Sequence, residues 1–184
     1  MDQASITRAL VAAFPELPVK PEWSAKLTRR KLYSPRIDIA VGPFAVEEQL
    51  AAEYDQLVYN HRPILGRLHA LFERNVRGFT FGDPVPELPD CLEHNRNARC
   101  LLAIELERSG SRKHLMGGAI NAAALGRLGL SVAYSRDRLA TLLRMRSYFL
   151  FLAGAGKNSF NPRNLFIVTA EQLVESLRPA LEQG

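Results

Sequence analysis

Long apolar runs are missing from this chain. No stretch approaches the ~18 uninterrupted apolar residues of a membrane-crossing helix, so no transmembrane segment is expected. The opening MDQASITRALVAAFPEL carries Asp2, lacks a basic n-region, and breaks its apolar residues with Thr7 and Arg8. That is not a signal-peptide pattern. Cysteine is scarce too. Cys91 and Cys100 form no CxxC pair and no zinc-ligand spacing. Cys100 opens an apolar run and reads as a buried thiol, which fits a reducing cytoplasm.

Several motifs of common chemistries are absent. There is no HExxH, no GxSxG and no P-loop, and the GGAIN segment is not a dinucleotide-binding GxGxxG. His61, His69, His94 and His114 show no metal-ligand spacing, so solvated or structural roles are expected of them. Neither an internal repeat nor a low-complexity tract is visible.

What remains is a globular composition. Of 184 residues, 47% are hydrophobic, enough for the core of one domain. The net charge of +5 permits a nucleic-acid partner without demonstrating one.

Periodicity gives the element order. SITRALVAAF (5–14) reads as a helix stopped by Pro15, and PELPVKPE as a proline-rich connector. Arg36 to Val41 alternates as a strand, with roughly Ser24 to Tyr33 as its hairpin partner and Ser34-Pro35 in the turn. Residues 45–76 read as helical with a break near Pro63, and 78–98 as a long loop. RCLLAIELER (99–108) is a strand. A helix follows over about 112–128, with Gly129 as its stop. Then come a strand at 130–135, a helix over roughly 137–153, the strand NLFIVT, and a helix from about Ala170. Such alternation predicts a layered α/β domain around a mixed sheet.

One feature of this pattern carries chemistry. Successive side chains on a strand point to opposite faces. In CLLAIELER that places Leu101, Ala103, Glu105 and Glu107 together, away from Cys100, Leu102, Ile104 and Leu106. Two carboxylates on an apolar strand are costly unless solvated or paired. In RIDIAVG, Asp38 shares a face with Arg36 and small Ala40. If the two strands are neighbours, Asp38, Glu105 and Glu107 can meet around a hard divalent cation such as Mg²⁺. The alternative is that these acids face water or pair with Arg29, Arg30 or Arg36.

A helix, a hairpin with Asp in its second strand, an E-x-E strand, a small-residue-rich helix and another strand form a recognisable series. PRIDIAV, AIELE and the helix running to Leu128 resemble the PD-(D/E)xK nuclease superfamily, over roughly residues 5–135. The resemblance implies a restriction-endonuclease-like three-layer α/β domain with a central mixed sheet. Residues 1–184 would form one domain, with 45–98 as a helical and loop insertion. It also implies a metal-dependent phosphodiesterase acting on DNA or RNA, with Mg²⁺ or Mn²⁺ held by Asp38 and Glu105; Glu107, on the same strand face, is a further candidate ligand. Glu107 stands where the family usually has lysine, and Lys113 is the candidate for the missing positive charge. The first helix has no acid; Glu16 lies just past its end and Glu22 in the connector. The other function considered is a non-catalytic member of the same fold that binds nucleic acid or assembles with protein.

Other candidates are less specific. Lys26, Arg29, Arg30, Lys31 and Arg36 form one basic group, and Arg136, Arg138, Arg144 and Arg146 a second; either could contact phosphates. YFLFLAG reads as core rather than as a stacking platform for bases. Gly117 and Gly118 are expected to let helix approach sheet, and Asn121 to be structural. The helix 45–76 is also a candidate dimerisation element, which would make the protein a homodimer.

Overall fold

The computed structural model of the chain describes residues 1–26, 34–80, 82–157 and 160–178. The elements in order are α1 (Gln3–Ala13), β1 (Val19–Ser24), β2 (Arg36–Val41), α2 (Ala51–Asn60), α3 (Arg62–Phe79), α4 (Leu88–Glu93), β3 (Cys100–Glu107), α5 (Arg112–Leu125), β4 (Gly126–Ala133), α6 (Arg136–Gly154), β5 (Leu165–Thr169) and α7 (Ala170–Leu177). Polar caps start the helices where expected. Asp2, Ser111, Ser135 and Thr169 each accept a backbone N–H in the first turn, filling donors that helix ends leave open.

The strands form one mixed sheet in the order β1-β2-β3-β4-β5. β1–β2 and β2–β3 are antiparallel; β3–β4 and β4–β5 are parallel. Helices cover both faces. On one, Gly129 of β4 lies so close to α5 that an added Cβ would meet the Ala122 backbone at 2.6 Å. On the other, Phe72 of α3 stacks on Phe166 of β5, ring centroids 4.9 Å apart. Two-sided cover explains why β4 is buried at every position, small and polar residues included. No helix among the described residues is long and apolar enough to cross a membrane.

Several expectations need correction. The partner of β2 is Val19–Ser24, inside the supposed connector, not Ser24 to Tyr33; residues 27–33 lie outside the described residues. Pro21 is tolerated because β1 is the sheet edge, where one side of the strand needs no ladder donors. Gly129 is not a helix stop. α5 ends at Leu125 and β4 starts at Gly126, so Gly129 sits mid-strand and serves close packing. The long loop after α3 contains the short helix α4. The helical stretch 45–76 is two helices, α2 and α3, with Pro63 in the first turn of α3, where its missing N–H costs nothing.

Helices α2 to α4 lie in the chain between two strands that pair directly, β2 and β3. One tie between this segment and the sheet is Arg127 of β4. It is 1% exposed and reaches Asp55 of α2 at 2.7 Å. Cys91 and Cys100 are buried free thiols.

Candidate active site

The ladder of β2 on β3 runs from Val41↔Leu102 through Ile39↔Ile104, so its next step sets Asp38 beside Glu105. Glu105 pairs in turn with Ser131 of β4. On the other flank, Pro21↔Ile39 and Trp23↔Ile37 bracket Glu22 and Asp38. Glu22, Asp38, Glu105 and Ser131 thus form one lateral row across four strands. With neighbouring strands ~4.8 Å apart, three carboxyl groups come within mutual influence.

The sequence pattern puts Glu22 in a connector, whereas the structure puts it in β1. It holds a φ of 52°, a left-handed conformation rare outside glycine, at the point where its ladder pairing lapses. Its carboxylate binds Arg36 Nε at 2.8 Å. Gln3 Nε2 donates to Glu22 Oε1 at 3.4 Å and to the Asp38 carbonyl at 2.8 Å, which fixes the start of α1 to this row. The sequence signal was present, since VKPEWS alternates, but proline masked it. Ser131 was missed as well. Its hydroxyl is fully buried, with no hydrogen-bond partner among the described residues.

Asp38 Oδ2 accepts the backbone N–H of Leu106 at 2.7 Å, which holds the carboxyl against β3. Glu105 is 8% exposed. Burial first, then the charges of Asp38, Glu107 and Glu22, push its carboxyl up to about 9. A hydrogen bond with Asp38 acts in the same direction: protonated Glu105 donates to its neighbour. Glu105 is therefore the member of the pair that holds the proton.

Glu107 shares the face but has other neighbours. It is 2% exposed and lies under α5, where a Cβ on Gly118 would meet Glu107 Oε1 at 2.6 Å. Burial pushes its carboxyl up; the charges of His114 and Arg138 oppose this and that of Asp38 adds to it. Gly118 is thus the glycine that permits close approach, whereas Gly117 has open space around it. Asn121 is half-buried on the same helix.

The remaining predicted residues separate. Lys113 is exposed in the first turn of α5 and makes no ion pair among the described residues. Arg138 Nη1 donates to the Gly110 carbonyl at 2.9 Å, near the end of β3. Arg108 is exposed and lies over the Tyr134 ring at 4.6 Å, and its charge interacts with Asp2 and Asp38. Arg146 cannot serve phosphates: it is 1% exposed, donates to the Pro84 carbonyl at 2.8 Å and lies over Phe72. Arg29, Arg30 and Lys31 lie outside the described residues. YFLFLAG is only partly core, since Phe149 is buried while Tyr148 and Phe151 are exposed. Two histidines have structural partners: His61 pairs with Glu16, and His69 bonds the Pro86 carbonyl.

No three His, Cys, Asp or Glu side chains among the described residues are arranged to hold a metal ion together. Mg²⁺, however, commonly uses one or two carboxylates and completes its shell with water and substrate oxygens. The Asp38–Glu105 pair suits that smaller requirement. Its oxygens are hard donors, and the leading influences on Glu105 all disfavour its charge, which a cation would reverse.

These features define an α/β domain with a partly buried acidic row toward the C-terminal end of β3. Comparison with protein-family models, curated proteins and solved structures finds no match for the chain.

Proposed function

We propose that the chain is a metal-dependent phosphodiesterase of restriction-endonuclease-like fold that acts on DNA or RNA. The observation that carries this reading is the pair of facing carboxyls, Asp38 on β2 and Glu105 on β3, in which burial and the charge of Asp38 oppose the ionisation of Glu105. A purely structural acid pair would gain more from arginine partners, yet Arg36 binds Glu22 at the edge of the row, and no ion pair reaches Asp38 or Glu105 among the described residues. The order α1, three antiparallel strands, α5 and a parallel β4 agrees with the series that the PD-(D/E)xK resemblance implies.

On this reading Asp38 and Glu105 would hold Mg²⁺ or Mn²⁺, with Glu107 beside them. The bound ion would supply a more acidic water and stabilise charge on a phosphate oxygen. The chain's own residues do the rest. Leu106 N–H orients Asp38, Gln3 ties α1 to the Asp38 strand, and Glu105 must release its proton to become a ligand. Lys113 and Arg138, at the starts of α5 and α6, would meet substrate phosphates or assist water.

The test is cleavage of single-stranded DNA, duplex DNA and RNA with Mg²⁺ or Mn²⁺, using Asp38→Ala and Glu105→Ala as controls. Activity in the wild type and its loss in both variants is the expected result. Equal cleavage by either variant would sink the assignment.

A second reading is favoured by the burial of Glu105 and Glu107 under α5. A plugged cluster suits a non-catalytic domain of the same fold that binds nucleic acid or assembles, as a homodimer or with another protein. Nucleic-acid binding with no cleavage under any divalent ion would select it.

A further inference from the structure

A cavity of about 430 Å³ opens between α5 and α6, away from the acidic row. Leu115 and Met116 of α5 and Met145 and Tyr148 of α6 form its apolar wall. Arg112 and Arg144 stand exposed at its edge, and no acidic residue lines it among the described residues. The volume lies in the range of small-ligand sites, roughly 300–1,000 Å³. Tyr148 is 51% exposed, which leaves part of its ring open to a partner.

The lining narrows the occupant. Two thioethers and an aromatic ring offer a flat, polarizable surface, and paired guanidinium groups offer charge complementarity to a phosphate. A base attached to its phosphate satisfies both. A base inside a duplex cannot, because its faces are already stacked and only its edges are exposed. Arg112 is next but one to His114, whose charge acts on Glu107, so the cavity begins at the helix end nearest Glu107.

We infer that the α5–α6 cavity binds an unpaired nucleotide, with Tyr148 stacking on the base and Arg112 and Arg144 holding its phosphate. The substrate class is then single-stranded nucleic acid, or the unpaired flank of a duplex. This rests on the nucleic-acid reading above, but it concerns binding and needs no metal.

The test is fluorescence anisotropy of a short fluorescein-labelled single-stranded DNA, the same sequence as RNA, and the corresponding blunt duplex, all in EDTA. Single strands should bind more tightly than the duplex. Tyr148→Ala should weaken single-strand binding by roughly 5- to 150-fold, the span of base–aromatic stacking, while leaving duplex binding unchanged. Tyr148→Phe keeps the ring and should retain wild-type affinity. Tyr148 is exposed, so neither variant threatens folding. Unchanged single-strand affinity in Tyr148→Ala, or a duplex bound as tightly as a single strand, overturns the inference. So does a dimer that Tyr148→Ala converts to monomer with no change in oligonucleotide binding. The two proposals fail separately. Tyr148-dependent binding without Mg²⁺- or Mn²⁺-driven cleavage removes the catalytic reading alone, whereas cleavage with normal Tyr148→Ala binding removes this one alone.

Discussion

Glu105→Gln removes one titration from the centre of the sheet while keeping the shape of the side chain. In the folded chain the Glu105 carboxyl is pushed from the ordinary 4.5 up to about 9. An unfolded chain would release that proton near 4.5. Folding therefore takes up a proton at every pH between the two values. The sign follows: the folded-state value is raised, so this contribution to stability is fully present below 4.5 and is lost as pH rises toward 9. Each pH unit within the window is worth about 1.4 kcal/mol, so wild type should lose about 2–3 kcal/mol relative to Glu105→Gln between pH 6 and 8. For a chain of 184 residues that corresponds to a relative fall in Tm of roughly 5–10 °C. The assay is thermal unfolding of both proteins in EDTA across this range, followed by circular dichroism. Taking the difference between the two profiles cancels the histidines and most of the Glu107 contribution. Parallel profiles would refute the reasoning, because Glu105 would then carry no proton in the folded chain.

Three other outcomes are expected. Mg²⁺ or Mn²⁺ should raise the Tm of wild type at pH 8, less at pH 6 where Glu105 keeps its proton, and not at all in Asp38→Ala or Glu105→Ala; equal shifts in all three proteins would place the ion elsewhere. Gly129→Ala should cost about 3 kcal/mol in urea unfolding, because the new Cβ meets the Ala122 backbone at 2.6 Å, whereas Gly117→Ala, with open space, should stabilise α5 by up to about 1 kcal/mol. Asp55→Ala should cost about 3 kcal/mol by leaving the Arg127 guanidinium buried without its closest carboxylate, toward the low end for buried pairs because Asp55 is itself 35% exposed; a change below experimental error would show that Glu93 or water takes over.

Strand faces were legible because they follow from a period of two. That rule alone put Glu105 and Glu107 on one side of β3 and Asp38 on a matching side of β2. Helices α1 and α5 to α7 were legible from periodicity. Register was not, since it depends on which strands meet, and the row through Glu22 and Ser131 exists only in register. Pro21 hid β1 because proline argues against a strand, and nothing in a sequence marks a strand as an edge. Gly129 resembled a helix stop because the same residue type serves both a cap and a close approach. Arg146 resembled a surface cation because its carbonyl and ring partners, Pro84 and Phe72, are distant in the chain.

Glu105 and Glu107 share a face, yet their surroundings assign them different work. Glu105 stands among Asp38, Glu107 and Glu22, with an unpartnered hydroxyl at Ser131 beside it, and the main influences on it oppose ionisation. Glu107 lies two residues nearer the strand end, where His114 of α5 and Arg138 of α6 partly offset its burial. On the phosphodiesterase reading, this is the position where a lysine would bring positive charge to the reaction. Here the strand supplies a carboxyl and Arg138 of α6 supplies a cation. The local charge then depends on the packing of α5 against β3, and Gly118 sets that packing by giving Glu107 room. Glu105 is thus suited to trade a proton for a cation, whereas Glu107 is suited to couple the acidic row to the helices that would meet the substrate.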